Sequence, residues 1–255
     1  MKRVLVISDP HCGHIAGITP PAWRTGIYEF PHIHDLQSEM WKKVREYARK
    51  TKGADMLIIN GDAIEGNGWR SAGTETLSTD RFVQCDMFIK FVQIFQVKKI
   101  VMTFGTPYHT GDAEDFERYI ADRIGAEIHS HAYLKIEDLI FDVRHHMGSS
   151  TVPYGRFTQL AKSRTWNVIN SVDEAEPLAN VYVRGHVHYY GFCGDDQYTA
   201  ISLPALQSGH TKFGKRRCEG RVNWGMLEFE VDKKDISWKP YIARLEAEKA
   251  KVVEL

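Results

Sequence analysis

The stretch Val181-Tyr-Val-Arg-Gly-His-Val-His188 is an apolar run that ends in a glycine and two histidines two positions apart. The run predicts a β-strand, and the glycine a sharp turn after it. In an extended or tightly looped backbone, side chains at i and i+2 share a side. His186 and His188 therefore converge on one spot. Far upstream, residues 4–7 form a second apolar run, followed by Ser8-Asp9-Pro10-His11, where Asp9 and His11 repeat the spacing. A third run, Leu57-Ile-Ile-Asn-Gly-Asp62, ends in a carboxylate. Three strands that all finish in Asp or His predict one polynuclear metal site at the ends of a sheet.

Working outward, residues 36–51 carry Leu36, Met40, Val44 and Tyr47 at helical spacing, with Gly53 as a stop. Residues 79–97 read as a second helix with Asp80 near its start, and 99–104 as a strand. Residues 105–111 read as a loop, and Asp112 as the N-cap of a helix over 113–124. This β-α-β-α-β-α order implies parallel strands with right-handed crossovers. The second half changes character. Strand-like runs cover 133–136 and 139–143, a helix is predicted over 153–170, and a strand over 180–184. Residues 198–206, 224–231 and 236–245 alternate as antiparallel strands. One α/β domain of two packed sheets over residues 1–245, followed by a charged tail over 246–255, is the simplest organisation.

The chain has 255 residues, and Lys plus Arg (33) equals Asp plus Glu (33), so no global charge draws it to nucleic acid or anionic membrane. The N-terminus lacks a signal-peptide pattern, and no apolar run approaches the roughly 20 residues of a membrane span. Cys12, Cys85, Cys193 and Cys218 are scattered without a CxxC pair. That argues against a zinc ribbon and for reduced cysteines in a cytoplasmic protein.

Taken singly, a Gly-Asp dipeptide is an ordinary turn and paired histidines such as His145-His146 are ordinary loop residues. Their order carries more. Asp-x-His, then Gly-Asp, then the Gly105-Thr-Pro-Tyr-His109 loop, then His145-His146, then Gly-His-x-His each follow a predicted strand. In this order the chain resembles the calcineurin-like metallophosphoesterases over most of its length. Its long opening loop, Asp9-Pro-His-Cys-Gly-His-Ile-Ala-Gly-Ile-Thr-Pro-Pro21, is similar to the phage- and prophage-encoded branch. The resemblance implies an α/β fold of two mixed β-sheets packed as a sandwich flanked by helices (α-β-β-α), with the site at the strand ends. It implies one metal held by Asp9, His11, Asp62 and His188, and a second held by Asp62, His186 and one of His145 or His146. Thr106 stands where the family has a ligating Asn, which implies that the second metal binds weakly, uses a water or recruits His109 itself. His109 occupies the place of the residue that acts on the leaving group.

The activity implied is phosphoester hydrolysis, leaning to a phosphodiesterase or nuclease acting on DNA or a nucleotide, with a metal-bridging hydroxide as nucleophile. A phosphomonoesterase, or a non-catalytic protein-binding module on the same fold, are the competing readings. Mixed imidazole and carboxylate ligands suit Mn²⁺, Fe²⁺ or Zn²⁺ better than Mg²⁺ or Ca²⁺, and the resemblance favours Mn²⁺. Asn60 and Asn67 flank Asp62 as candidate hydrogen-bond partners of the ligands. His14 is placed to face substrate or to decorate its loop. His210, Lys212, Lys215, Arg216 and Arg217 form either a phosphate clamp or a solvated basic loop. Trp23, Tyr28, Phe30 and Trp69 either stack on a base or pack their loops.

Overall fold

The structure, a computed structural model, describes residues 1–24, 31–68, 73–111, 115–150, 152–212, 222–246 and 252. In chain order its elements are β1 (Lys2–Ile7), α1 (Pro31–Lys50), β2 (Met56–Asn60), α2 (Arg81–Val92), β3 (Lys99–Thr103), α3 (Pro107–Thr110), α4 (Phe116–Ile124), β4 (Glu127–His129), β5 (Ala132–Ile136), β6 (Leu139–Arg144), α5 (Arg156–Val172), β7 (Val181–Arg184), β8 (Gly191–Gly194), β9 (Thr199–Ser202), β10 (Trp224–Asp232) and β11 (Asp235–Ala243). One sheet has the order β11-β10-β1-β2-β3-β4, the other β5-β6-β7-β9-β8. β1 to β4 run parallel, as do β6, β7 and β9, while β10, β11, β5 and β8 run antiparallel to their neighbours. Both sheets are therefore mixed, and the expected architecture is the one observed.

Period-two alternation explains the layering. From β1, Val4 and Val6 enter the core between the sheets, where they meet Ile58, Phe141, Val143, Val181, Val183, Ile201 and Phe229. Leu5 and Ile7 face the other way, onto Leu36, Met40 and Val44 of α1, Phe88 and Phe91 of α2, and Ile120 of α4. A smaller cluster of Leu160, Ala179, Tyr182 and Ala200 lies between the second sheet and α5. The rings of Phe141 and Phe229 meet edge to face at 5.3 Å and tie the sheets together. Among the described residues no helix is long and apolar enough to cross a membrane.

Several local expectations need correction. α1 starts at Pro31 rather than 36, because proline fits the first turn of a helix. α2 is capped by Asp80, whose side chain accepts from the N–H groups of Phe82 (2.8 Å) and Val83 (3.3 Å), but it ends at Val92, well short of 97. Pro107–Thr110 makes a single helical turn inside the 105–111 loop. α4 starts at Phe116, and the expected cap Asp112 lies outside the described residues. Thr199–Ser202 pairs parallel with β7, not antiparallel, because the unforeseen strand β8 supplies the antiparallel neighbour. Of the tail, only Glu246 and Val252 are described.

Phe141→Ala would leave a cavity between the sheets. It is expected to lower unfolding stability by about 3–5 kcal/mol, read from urea denaturation. A loss of less than about 1 kcal/mol would show that the sheets do not depend on this contact.

Candidate metal centre

The carboxyl ends of β1, β2, β3, β6 and β7 lead directly into Ser8-Asp9, Gly61-Asp62, Gly105-Thr106, His145-His146 and Gly185-His186. Main-chain hydrogen bonds knit these ends together: Asp9 N to Gly61 O (3.2 Å), His11 N to Asp62 O (3.0 Å) and Gly185 N to His145 O (2.9 Å). Non-glycine residues with positive φ are uncommon. Here Asp9 (52°), His11 (45°), Asp62 (51°), His186 (71°) and His188 (55°) all adopt it. Asp9 and His11 converge as their i, i+2 spacing predicts (3.9 Å), through left-handed backbone rather than an extended pleat, whereas His186 and His188 fall in different ligand groups. Glycine is required where the ends touch. A Cβ on Gly105 would lie 2.2 Å from Asp62 N, and one on Gly185 would strike Ser8 Oγ.

Three overlapping groups result: Asp9, His11 and His188; His11, Asp62 and His109; and Asp62, His145 and His186, each with nitrogen and oxygen atoms within 4.8 Å of one another. His145 is buried in the last group. His146 is exposed outside all three, its ring 4.8 Å from that of His186. Thr106 lies beside Asp62 and His186. Its N–H donates to Asp62 Oδ1, and its Oγ is 3.2 Å from His186 Nδ1. Asn60 acts through its main chain: its carbonyl accepts from His145 Nδ1 (2.7 Å), and its side chain accepts from Thr103 Oγ1 (2.6 Å). Asn67 is exposed.

Other candidates fall elsewhere. His14 is buried, with Nδ1 accepting from Ala16 N (2.9 Å) and Nε2 3.9 Å from Glu75, so it packs its loop rather than facing solvent. Lys212 Nζ donates to Thr74 Oγ1 (2.6 Å), and its main-chain N–H to Glu75 (2.8 Å). The N–H of His210 donates to Ser208 Oγ (3.3 Å). Lys215, Arg216, Arg217, Tyr28, Phe30 and Trp69 lie outside the described residues, and Trp23 packs on the helix-side core.

The donor set fits a divalent transition metal. His11 Nε2 and His145 Nε2 are buried without hydrogen-bond partners. Their Nδ1 atoms are engaged by Glu65 Oε2 (2.9 Å) and the Asn60 carbonyl. A carbonyl only accepts, so the Nδ1 of His145 keeps its proton and Nε2 is the nitrogen left for a cation to claim. That Nε2 is 3.0 Å from Asp62 Oδ2 but not aligned for a hydrogen bond, and His11 Nε2 is 3.8 Å from the same oxygen. Electrostatics agree. Burial opposes ionisation of Asp9 and Asp62, yet the neighbouring histidines hold both carboxyls well below the usual range. Burial also disfavours charged His11, but Asp9, Glu65 and Asp62 push it up to about 10. Burial, then Asp62 and Asp9, act likewise on His145, raising it to about 10. The centre holds positive charge wherever it can, and divalent cations would displace those protons.

Two carboxylates escaped the sequence reading. Glu65 sits three residues after Asp62 in the same glycine-bounded loop. It is 2.9 Å from His11 Nδ1 and 3.5 Å from His109 Nδ1. Glu117 is fully buried on α4 and accepts the N–H groups of Ala63 (2.9 Å) and Gly105 (2.6 Å), so it clamps the β2 and β3 loops to each other. Burial pushes its carboxyl up to about 8. The sequence signal was an acid sharing a helix face with Ile120 and Ala121.

Two mixed sheets thus gather buried Asp and His at their strand ends, in the chain order read from the sequence. No family model matches the chain, and no curated protein matches it significantly. Among solved structures it is similar to an archaeal phosphodiesterase, with 13% identity over 93% of this chain and 99% of that one and a TM-score of 0.48. It is also similar to wild-type Vps29 complexed with zinc from Entamoeba histolytica, at 10% identity over 94% and 99% of the two chains, TM-score 0.45. A predicted phosphoesterase from Streptococcus pneumoniae TIGR4 is 10% identical over 94% and 90%, TM-score 0.41.

Excess Mn²⁺ is expected to raise the melting temperature, since a ligand at 100 times its Kd adds about 2.7 kcal/mol, and Asp62→Asn is expected to abolish the rise. A melting temperature unmoved by Mn²⁺, Fe²⁺ and Zn²⁺ contradicts the fit. Glu117→Ala strands two buried N–H groups and is expected to cost about 2–4 kcal/mol in urea denaturation. A change within about 0.5 kcal/mol would remove Glu117 as the clamp.

Proposed function

We propose that the chain is a divalent-metal-dependent phosphoester hydrolase that favours diesters. The observation that carries this is the pair of buried, unpartnered nitrogens, His11 Nε2 and His145 Nε2, turned toward Asp9 and Asp62. An idle site has no use for two buried, unpartnered imidazole nitrogens beside two desolvated carboxylates. Asp9, His11, Asp62 and His188 would hold one cation, and Asp62, His145 and His186 a second, with Mn²⁺ preferred over Fe²⁺ or Zn²⁺. When bound, the cations supply Lewis acidity, polarising a phosphoryl oxygen and making a water acidic enough to act near neutral pH. The proposed catalytic unit spans residues 1–245.

The chain's own residues do the rest. Glu65 Oε2 accepts from His11 Nδ1, and the Glu65 carbonyl accepts from His109 Nδ1 (2.8 Å), so both rings are fixed in rotation and tautomer. Burial, then the charge of His11, holds the His109 imidazole below its usual pKa. Neutral His109 thus presents a lone pair at Nε2. To serve the leaving oxygen, Nε2 would first take a proton released by the attacking water and then donate it to that oxygen. The Thr106 side chain bonds His186 and Asp62 rather than lying free. It therefore steers those two side chains where a carboxamide would add a ligand.

Hydrolysis of methyl 4-nitrophenyl phosphate and of 4-nitrophenyl phosphate, each with Mn²⁺ or EDTA, tests the reading. Diester turnover that EDTA abolishes and Asp62→Asn removes is the expected result, with His109→Ala lowering kcat by 10²- to 10⁴-fold, about the range for a general acid or base. Preference for the monoester would make the protein a phosphomonoesterase. Absence of both turnover and bound metal would leave a protein-binding module on this fold.

A further inference from the structure

Of the residues of α5, only Leu160 and Asn167 are buried. A helix that docks on a sheet normally buries an apolar stripe. Leu160 makes that contact with the second sheet, while the neighbouring stripe of Gln159, Lys162, Ser163, Trp166 and Asn170 lines one side of a groove of ≈ 350 Å³ whose other side carries Asp142, Arg144 and His146 from β6 and its end and Arg184 from β7. The groove floor is polar as well. Buried Arg184 pairs with buried Asp142 at 2.7 Å, and His131 meets the same carboxylate at 2.8 Å. Arg184 Nε is buried without a hydrogen-bond partner. The other carboxylate of the groove, Glu176, accepts from Asn167 at 3.2 Å. That leaves the exposed Arg144 and Lys162 with no carboxylate partner among the described residues, and the indole of Trp166 56% exposed.

The groove adjoins the metal centre. His146 lines it, and the His146 ring lies 4.8 Å from that of His186, which belongs to the Asp62–His145–His186 group. A larger cleft of ≈ 630 Å³, between α1 and the end of α2, is lined by residues that precede β2 and β3, so it sits at the opposite ends of the strands and cannot serve the same substrate.

We infer that this groove is the subsite for the nucleoside of a nucleotide phosphodiester, with the base stacked on Trp166, the adjoining phosphate held by Arg144 and Lys162, and the base edge met by the amides of Gln159 and Asn170. An aromatic face beside unpaired cations complements a base joined to a phosphate. Amide side chains offer both a donor and an acceptor to a base edge. Trp166 and His146 line the same groove, and His146 also neighbours His186 of the ligand cluster. A scissile phosphate at the cluster therefore places one of its two ester arms in the groove. This specifies the substrate class of the proposed phosphodiesterase and rests on that reading.

Binding is measured first without catalysis, by fluorescence anisotropy of a labelled ten-nucleotide single strand in EDTA, against an abasic strand of the same length and against a dinucleotide. The native chain is expected to bind the base-bearing strand at least ten-fold tighter than the abasic one, and Trp166→Ala to lose that margin. Lys162→Ala is expected to weaken both strands alike. Tighter binding of the strand than of the dinucleotide makes a nucleic acid the substrate, and equal binding a free dinucleotide; both uphold the groove. Equal binding of base-bearing and abasic strands, or an unchanged margin in Trp166→Ala, overturns it. With Mn²⁺, the ratio of kcat/KM for the dinucleotide over methyl 4-nitrophenyl phosphate is expected to fall ten-fold or more in Trp166→Ala. A native chain that cleaves the aryl diester but shows no base-dependent binding loses the groove and keeps the phosphodiesterase. A chain that shows base-dependent binding but cleaves neither diester with metal bound keeps the groove and loses the phosphodiesterase.

Discussion

Two carboxylates of like charge, Asp9 and Asp62, are buried at the ends of neighbouring parallel strands, and the rest of the structure is arranged around that constraint. Removing a carboxylate from water costs several kcal/mol even after relaxation, unless donors and opposite charge replace the solvent. Replacement comes from every strand end that reaches the centre. Asp9 accepts from Ser8 Oγ, from the His186 main chain at 3.2 Å and from His188 Nε2 at 3.0 Å. Asp62 accepts from the Thr106 main chain and lies 3.0 Å from His145 Nε2. These groups come from four strand ends, those of β1, β3, β6 and β7, so the two charges bind both sheets into one end-face.

The geometry that brings them together is stored in the backbone. Five residues of the centre take left-handed conformations, each costing roughly 1–2 kcal/mol for a residue with a Cβ. Their sum is comparable to the whole net stability of an ordinary domain. The strain is tolerable because the core between the sheets and the helix-side core over-determine the strand ends, leaving the loops little freedom to relax. It also explains the residue types in part. Asp, Asn and His enter the left-handed region more readily than other side chains, so the ligands are also among the cheapest residues for these turns.

Much of this was readable in the sequence, because apolar runs mark strands and a polar residue just past a run marks a strand end. Asp9, His11, Asp62, His186 and His188 were placed together on that basis alone. The choice between His145 and His146 was left open by the sequence, and the alternation of β6 explains why the structure turns His145 inward. Phe141 and Val143 face the inter-sheet core, so His145 continues the inward face, while Asp142, Arg144 and His146 continue the outward one. What the sequence hid was of two kinds. β4 and β8 are three and four residues long, too short for a periodic signal, and glycines end β8. Glu65 and Glu117 act through atoms that only tertiary structure brings near, an imidazole nitrogen and two main-chain N–H groups.

The alternation of β6 has a further consequence for how chemistry and recognition are joined. Its inward side ends at a buried imidazole in the metal centre. Its outward side runs through Asp142 and Arg144 to His146 at the groove. A strand pleat is rigid once paired on both sides, and β6 is held by β5 and β7. The two sides therefore cannot shift independently. A substrate anchored along the outward face is held at a fixed offset from the atoms gathered on the inward face. Positioning of this kind lowers the entropy lost on reaching the reactive geometry without any moving part. His146 joins the two sides, next to His145 along the chain and with its ring 4.8 Å from that of His186 across the sheet.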